Sequence, residues 1–177
     1  MKQILIMRHA KSSWSNEGLK DFDRPLNNRG TGDAALMGNF VKKTGYIPDQ
    51  ICSSPAARAR QTTELFCSAA SLGIDSVKWD DKLYYGTSTD YLNGIRSFDS
   101  KNVERVMLVG HNPLVENTAG LLCGSSQNSL LRMPTAALVC FEFLSDSWKN
   151  LDGRNCRIKW FVIPKLLKAG QKNRNRD

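Results

Sequence analysis

The sequence predicts an α/β protein in three layers, with a mostly parallel central sheet between two layers of helices. Short apolar segments alternate with stretches of helical periodicity, and several of these segments end at a polar turn just before a helix signal. The length of 177 residues, with 41% hydrophobic side chains, suits one domain with a full core. We therefore expect a single domain over residues 1–164.

The first half of the chain alternates strand and helix. Lys2 to Met7 is short and apolar, as in a buried strand, and Asn28 to Thr44 carries apolar residues near helical spacing. A second strand is predicted at Asp49 to Cys52. Ser54-Pro55 is a typical N-cap and N1 pair, and the helix that it begins is expected to reach about Leu72.

The second half repeats this pattern. Glu104 to Val109 predicts a strand, and Asn112-Pro113 is typical of a helix start, with the helix ending near Leu122. Ala136 to Phe143 and Arg157 to Ile163 are rich in β-branched or aromatic residues and predict two further strands. Because strands and helices alternate, the sheet should be covered on both faces.

The charge of the chain is unevenly distributed. The formal net charge is +8, and the last 13 residues supply +4 of it without any aromatic side chain. Terminal segments of this composition are typically solvated, and base stacking requires aromatic residues. We expect a basic, flexible tail over residues 165–177 and no nucleic-acid partner. The remaining positive excess suits a pocket for an anionic substrate.

Composition also bears on metal ions, cofactors and membranes. The five cysteines are widely spaced and form no Cys-x-x-Cys pair, which indicates buried free thiols, and His9 and His111 are the only imidazoles. We therefore expect no metal and no cofactor. No apolar run approaches the roughly 20 residues that a membrane span requires, and Lys2 to Met7 is too short for a signal peptide. These observations predict a cytoplasmic protein without a membrane partner and leave its oligomeric state open.

Three polar motifs follow predicted strands, at the point where each strand ends. They are Arg8 to Ala10, Ser53 to Arg58 and Gly110 to Pro113. The carboxyl ends of strands are where ligands bind in open α/β sheets, and helix N-termini favour anions. Each motif alone is commonplace, and a solvated arginine is the usual alternative. Because both histidines of the chain fall at strand ends, the set predicts a site for a phosphate-sized ligand.

These motifs resemble those of a known family. Arg8-His9-Ala10 is similar to the Arg-His-Gly signature of the histidine phosphatase superfamily, also called phosphoglycerate mutase-like. Ser53 to Thr62 resembles its second basic motif, and Val109 to Pro113 its second-histidine motif. Asp21 to Gly30 and Met133 to Ala137 resemble segments of the small SixA-type phosphohistidine phosphatases. The motifs occur in the family's order between about residues 2 and 163.

The resemblance implies a phosphatase that forms a phosphohistidine intermediate, with His9 as the nucleophile. Arg8 and Arg58 would hold the phosphate, and His111 would complete the pocket. These roles are physically reasonable, since a neutral imidazole with a pKa of about 6.5 is a competent nucleophile and guanidinium groups can bind phosphate oxygens in pairs. No metal is needed to neutralise the charge. A protonated His111 would add a further hydrogen bond.

Other polar residues near these motifs have two readings. Ser12 lies three residues beyond the proposed nucleophile and could donate its hydroxyl to phosphate, or it could belong to an ordinary polar loop. We expect Asp23, Arg24 and Arg29 to form local ion pairs instead of contacting substrate.

The nature of the substrate depends on a proton donor. Members of the superfamily that cleave phosphomonoesters generally use a carboxylic acid from the middle of the chain. Here Asp80 and Asp81 are the candidates, Asp81 being the possible donor, although a solvated loop pair is the alternative. A phosphohistidine tolerates a site without an acid, because imidazole is a far better leaving group than an alkoxide.

The expected substrate is therefore phosphohistidine on a protein. Two alternatives stay open at this point. One is a phosphomonoesterase that acts on a small phosphorylated metabolite, and the other is a non-catalytic module that binds phosphoproteins.

Overall fold

A six-stranded sheet forms the centre of the protein. The computed structural model describes residues 1–98, 100, 102–125 and 130–174. The strands are β1 (Lys2–Arg8), β2 (Gln50–Ser53), β3 (Val77–Trp79), β4 (Arg105–Gly110), β5 (Leu138–Phe143) and β6 (Cys156–Val162). Their order across the sheet is β3-β2-β4-β1-β5-β6, so β1, β2, β4 and β5 occupy interior positions.

The sheet is mixed but mostly parallel, as predicted. Strands β1 to β4 run in one direction, whereas β5 is antiparallel to β1 and β6 is antiparallel to β5. The carboxyl ends of the four parallel strands therefore meet at one edge of the sheet. That edge carries the polar motifs identified in the sequence.

Helices cover both faces of the sheet. They are α1 (Asn28–Thr44), α2 (Ala57–Ala70), α3 (Lys82–Tyr85), α4 (Ser88–Arg96), α5 (Leu114–Leu122) and α6 (Pro164–Arg174). Leu5 and Met7 of β1 pack with buried residues of α1 and α2, while Ile4 and Ile6 pack with α4 and α5 on the opposite face. Alternate residues of a strand point to opposite faces, so β1 contributes to both cores. The three-layer α/β/α arrangement is confirmed. Within the described residues, none of these helices has the length and apolarity needed to span a membrane.

The segment between residues 73 and 103 contains elements that the sequence did not predict. Strand β3 and helix α3 are only three and four residues long, too short to show a periodicity. Helix α4 does have a recognisable start, because Thr87 and Asp90 form a capping box in which each side chain accepts from the other's backbone N–H. Tyr91 and Ile95 then point into the core. The Thr-x-x-Asp spacing was the signal that could have revealed this helix.

The C-terminal segment differs from the expected flexible tail. Residues 164–174 form helix α6, and only residues 175–177 of the predicted tail lie outside the described part of the chain. Leu167 packs against the core that α1 and α2 share, and Lys168 donates to the buried carboxylate of Asp33. The basic residues of this segment obscured its apolar anchor, and Pro164 suits the start of a helix.

The five cysteines are free thiols, in agreement with the sequence. Cys52, Cys67 and Cys140 are buried, and the other two are partly buried. Burial raises the pKa of the Cys52 thiol to about 12 and that of Cys67 to about 11, so these two side chains behave as small apolar groups at neutral pH.

Candidate active site

Three strands end side by side at the carboxyl edge of the sheet. In the pairing of β1 with β4, Arg8 lies opposite Gly110, and in the pairing of β2 with β4, Ser53 lies opposite Val109. The residues that follow are held in the same register, because the His9 N–H donates to the Gly110 carbonyl at 3.0 Å. The structure therefore brings the three polar motifs together.

The ring of His9 is held in one tautomer. Its Nδ1 lies 2.7 Å from the carbonyl oxygen of Ala10, and since a carbonyl oxygen can only accept, Nδ1 carries the proton. The other nitrogen, Nε2, then has a free lone pair and accepts from Nε of Arg58 at 3.2 Å. The Ala10 N–H is itself tied to the Thr62 hydroxyl of α2 at 3.0 Å. The backbone thus points the Nε2 lone pair into the site.

Both histidine rings are neutral at physiological pH. Burial is the main reason why the pKa of His9 is lowered to about 3; the hydrogen bond to Ala10 opposes this shift, and the positive charges of Arg58, Arg8 and Arg24 add to it. Burial, followed by His9 and Arg58, also lowers the pKa of His111 to about 3. In the site without phosphate, His111 is therefore neutral, and not protonated as was considered from the sequence. A neutral ring can still donate one hydrogen bond.

His111 lies beside His9 and is anchored from the second strand end. The centroids of the two rings are 4.9 Å apart, and Nε2 of His111 is 2.9 Å from the hydroxyl of Ser54. The Nδ1 atom of His111 is buried and has no hydrogen-bond partner among the described residues. A buried polar atom without a partner next to two arginines is a natural contact for an anion oxygen.

The hydroxyl of Ser54 explains why α2 begins later than predicted. The expected N-cap was Ser54, but the helix starts at Ala57 and the N-cap is Ala56, without a side-chain cap. Ser54 is instead shared between Nε2 of His111 and the N–H of Ala56. The site uses the group that would otherwise have capped the helix.

Arg8 is held by the segment that precedes β5. Its Nη1 donates to the carbonyl of Met133 at 2.9 Å, and the Met133 N–H is held by Glu116 of α5 at 2.7 Å. Burial lowers the pKa of Arg8, while the negative charge of Glu116 opposes that shift. Nε of Arg8 is buried and has no partner among the described residues. This guanidinium therefore retains a donor for a ligand.

Arg58 lies in the first turn of α2 and is almost completely buried. Besides its contact with His9, Nη2 of Arg58 donates to the carboxylate of Asp21 at 2.8 Å, and Nη1 donates to the backbone carbonyl of the same residue. The loop before α1 thus fixes the orientation of the guanidinium that faces the nucleophilic nitrogen.

Asp21, which we did not assign to the site from the sequence, belongs to a network at its rim. Its carboxylate accepts from the Tyr84 hydroxyl at 3.0 Å and pairs with Nη1 of Arg24 at 3.1 Å. The ring of Tyr84 meets the His111 ring edge-on at 5.4 Å between centroids. The prediction that Arg24 forms local ion pairs is confirmed. Arg29 also forms one, with Asp33 of the same helix at 3.3 Å.

Two predicted residues lie apart from the four central side chains. Ser12 is buried, and its hydroxyl accepts from Nη2 of Arg24 at 2.7 Å, so it supports the rim of the site. Asp81 is exposed at the start of α3, and within the described part of the chain no hydrogen bond or ion pair joins its carboxylate to Arg8, His9, Arg58 or His111. The side chain of its neighbour Asp80 accepts from the Lys82 N–H, which is a local cap.

The arrangement can bind a tetrahedral anion beside a nucleophile. Two guanidinium groups, a buried histidine nitrogen and the available Nε2 lone pair converge at one strand edge. Among the described residues, no group of three or more His, Cys, Asp or Glu side chains is placed to hold a metal ion. Fold and site together define an α/β protein with a histidine-centred anion site at the carboxyl edge of its sheet.

Comparisons with known proteins agree with this class. The model of the histidine phosphatase superfamily (branch 1) matches residues 4–83, which include Arg8, His9 and Arg58. The SixA protein of Agrobacterium tumefaciens is 31% identical, with a TM-score of 0.74 over 92% of this chain and 98% of its own. The chain belongs to the histidine phosphatase superfamily.

Two further relatives carry the same name. A structure of the protein histidine phosphatase SixA complexed with tungstate has a TM-score of 0.78 at 24% identity, over 93% of this chain and 99% of that one. The phosphohistidine phosphatase SixA of Escherichia coli is 23% identical over 157 residues, which are 89% of this chain and 96% of its own.

The neutral histidines predict a pH dependence of stability. Their pKa values are near 3 in the folded protein and about 6.5 when unfolded, so the unfolded chain binds more protons between these values. The free energy of unfolding should be fully retained above pH 6.5 and should fall as the pH drops below it. We expect a loss of about 1–2 kcal/mol per histidine between pH 7 and pH 5, measured by urea denaturation.

A variant with one histidine fewer provides the control. In His111→Gln, the loss between pH 7 and pH 5 should be about half of that in the unmodified protein, because one titrating ring remains. An unfolding free energy that is constant from pH 7 to pH 5 would show that the rings are not buried in the neutral form.

Proposed function

We propose that the protein removes phosphoryl groups from histidine side chains of other proteins through a phosphohistidine formed on Nε2 of His9. The observation that carries this proposal is the hydrogen bond from Nδ1 to the Ala10 carbonyl, which leaves the Nε2 lone pair facing Arg58. In this proposal Arg8 and Arg58 hold the phosphate oxygens, and His111 donates a further hydrogen bond to them.

The first step transfers the phosphoryl group from one imidazole to another. The lone pair of His9 Nε2 forms a bond to phosphorus, the P–N bond of the substrate breaks, and its electron pair returns to the departing ring. As the new bond forms, the Nε–H of Arg58 stops donating to Nε2 of His9 and donates to a phosphate oxygen instead. Donor and acceptor are chemically alike, so the transfer is close to balanced in energy. The proton on Nδ1 of His9 stays in place.

The second step returns the enzyme to its starting form. Water attacks the phosphorus, the bond to Nε2 breaks, and both protons of the water leave with the phosphate as dihydrogen phosphate. The ring recovers its lone pair and keeps its Nδ1 proton, so His9 is again neutral. Neither step requires a carboxylic acid to donate a proton.

The carboxylate that contacts Arg58 supports a P–N substrate. Burial alone would raise the pKa of Asp21, but hydrogen bonds from Tyr84 and Arg58 lower it overall, so this group is ionised and cannot supply a proton. Asp81, the donor considered from the sequence, lies exposed at the start of α3. The alkoxide of a phosphate ester would therefore have to leave without protonation. General acid catalysis accelerates such a step by about 10²–10⁴-fold, and the ester would lack this acceleration.

The named relatives support the same substrate class, because two of them are called phosphohistidine phosphatase or protein histidine phosphatase. Fold alone does not specify a substrate, whereas the groups around His9 bear on it directly. A phosphorylated protein as partner, a cytoplasmic location and independence from metal ions stay predictions.

The test compares two classes of phosphodonor. A protein phosphorylated on histidine with phosphoramidate, and a panel of sugar and nucleotide phosphates, would be assayed for phosphate release in the presence of EDTA. We expect kcat/KM for the phosphohistidine protein to exceed that for the monoesters by about 10²-fold or more, because only the alkoxide requires an acid.

The other outcomes distinguish the alternatives. A preference for a sugar or nucleotide phosphate by orders of magnitude would contradict the proposal and favour a phosphomonoesterase. Binding of the phosphoprotein without release of phosphate, and without an acid-labile phosphoenzyme, would favour a non-catalytic module. Loss of activity in EDTA that added metal restores would contradict metal independence.

A further inference from the structure

The carboxylate of Asp21 holds Arg58 in place, but it can also accept a further hydrogen bond. Three donors reach it: Nη2 of Arg58 at 2.8 Å, the Tyr84 hydroxyl at 3.0 Å and Nη1 of Arg24 at 3.1 Å. An ionised carboxylate offers about four acceptor positions, two on each oxygen. Arg58 and Tyr84 share Oδ2 and Arg24 pairs with Oδ1, so the remaining position is on Oδ1. The side chain is 53% exposed, so a ligand can reach this carboxylate from the solvent side.

The carboxylate of Asp21 lies close to the nucleophile, because the same arginine contacts both. Nε and Nη2 lie on the same edge of the guanidinium of Arg58, and they contact His9 and Asp21, respectively. Tyr84, which donates to Asp21, stands edge-on to His111, and the negative charge of Asp21 opposes the lowering of the His111 pKa. When a phosphate is bound beside His9 and Arg58, the leaving group attached to its phosphorus is therefore expected to lie close to this carboxylate.

A phosphorylated imidazole has a feature that suits this position. When its second nitrogen is protonated, the ring is cationic, and breaking the P–N bond releases a neutral imidazole that keeps this proton. Protonation of the second nitrogen thus makes the ring a good leaving group without proton transfer to the nitrogen that leaves. A carboxylate that accepts from the second N–H favours this form of the ring.

We infer that Asp21 selects phosphorylated imidazole rings by accepting a hydrogen bond from the ring N–H that is not attached to phosphorus. This inference rests on the proposed function and names the residue that would determine its specificity. During the transfer the P–N bond breaks, the electron pair goes to the departing nitrogen, and the proton stays on the ring beside the carboxylate. Asp21 stabilises the cationic ring and exchanges no proton with it.

The same carboxylate disfavours phosphate esters. A departing alkoxide or phenolate is negatively charged, and Asp21 is also negatively charged. Hydrogen bonds from Tyr84 and Arg58 keep its pKa low although burial opposes this, so it has no proton to offer an anionic leaving group. One residue would then act in opposite directions on the two substrate classes.

The test is the substrate preference of Asp21→Asn, an isosteric change that removes the negative charge. Rates would be measured with phosphoimidazole and with p-nitrophenyl phosphate, whose leaving phenolate requires no proton. We expect the ratio of kcat/KM for phosphoimidazole to that for p-nitrophenyl phosphate to fall about 10- to 100-fold, the typical worth of a charge-assisted hydrogen bond. Asp21→Glu, which keeps the charge, should recover part of the ratio.

The matched control is Asp23→Asn, an exposed carboxylate two residues away in the same turn, which should leave the ratio unchanged. If Asp21 only positions Arg58, both substrates should slow by the same factor in Asp21→Asn, and the inference would be wrong. If the unmodified protein fails to cleave phosphoimidazole and histidine-phosphorylated protein while it cleaves p-nitrophenyl phosphate, the proposed function itself fails, which is a different result.

Discussion

Replacing His9 by alanine should abolish the phosphoenzyme and lower kcat by at least about 10⁴-fold, because the variant lacks the nitrogen that would accept the phosphoryl group. The Ala10 carbonyl and Arg58 orient the ring of His9, and no other described side chain occupies this place. The measurement is rapid quench with a ³²P-labelled phosphodonor, followed by separation of the acid-labile, base-stable phosphoprotein.

Two controls separate loss of chemistry from loss of the site. His9→Ala should still bind tungstate, detected as a rise in Tm, since Arg8 and Arg58 remain in place. His111→Ala should still form the phosphoenzyme, although more slowly, because His111 would hold phosphate oxygens without forming a bond to phosphorus. If His9→Ala yields the same phosphoenzyme as the unmodified protein, the nucleophile is another residue.

Replacing Arg58 by lysine should lower kcat/KM about 10²- to 10³-fold for P–N and P–O substrates alike. An ammonium group keeps the charge, but it cannot contact His9 and two phosphate oxygens with the planar geometry of a guanidinium. The variant also loses its paired contacts with the carboxylate and carbonyl of Asp21. Steady-state kinetics with phosphoimidazole and p-nitrophenyl phosphate would measure the effect.

The same helix offers a matched control. Arg60, two residues further along α2, is exposed and stacks over the ring of Trp79 at 4.6 Å. Arg60→Lys should change kcat/KM less than about twofold, since surface substitutions rarely have larger effects. Equal losses in Arg58→Lys and Arg60→Lys would indicate a general effect of replacing an arginine on this helix instead of a specific role for Arg58.

The sequence was sufficient to predict the sheet edge and the residues that meet there. Arg8 ends an apolar strand, His9 and His111 directly follow apolar strands, and Arg58 lies in the first turn of the helix that follows another. In a parallel sheet the carboxyl ends of adjacent strands coincide, so position along the chain translates into proximity. The two interior pairings of β4 are the physical reason why this prediction succeeded.

The rim of the site could not be predicted in this way. Asp21 and Tyr84 are 63 residues apart, and each lies in an irregular segment or a single helical turn without periodicity. Their contact depends on how two loops pack above the sheet, which no local pattern encodes. Asp81 was considered from the sequence because the resemblance implied a carboxylic acid from the middle of the chain.

Two further differences between the structure and the sequence prediction have a common cause, which is a tertiary contact that competes with a local preference. A serine before proline usually caps a helix, but Ser54 contacts His111 instead. Likewise, a lysine-rich terminus is usually solvated, but Lys168 reaches the buried carboxylate of Asp33, and helix α6 packs beside α1. In both cases a tertiary partner outweighed the local preference.

The nucleophile and the groups at the rim belong to different parts of the architecture. His9 follows an interior strand that is hydrogen-bonded on both sides, whereas Asp21 and Tyr84 come from a short turn and a one-turn helix at the surface. Surface connections tolerate insertion and replacement far better than interior strands do. Relatives that share this scaffold could thus acquire new leaving-group preferences by exchanging two brief connections, without altering the phosphoryl acceptor.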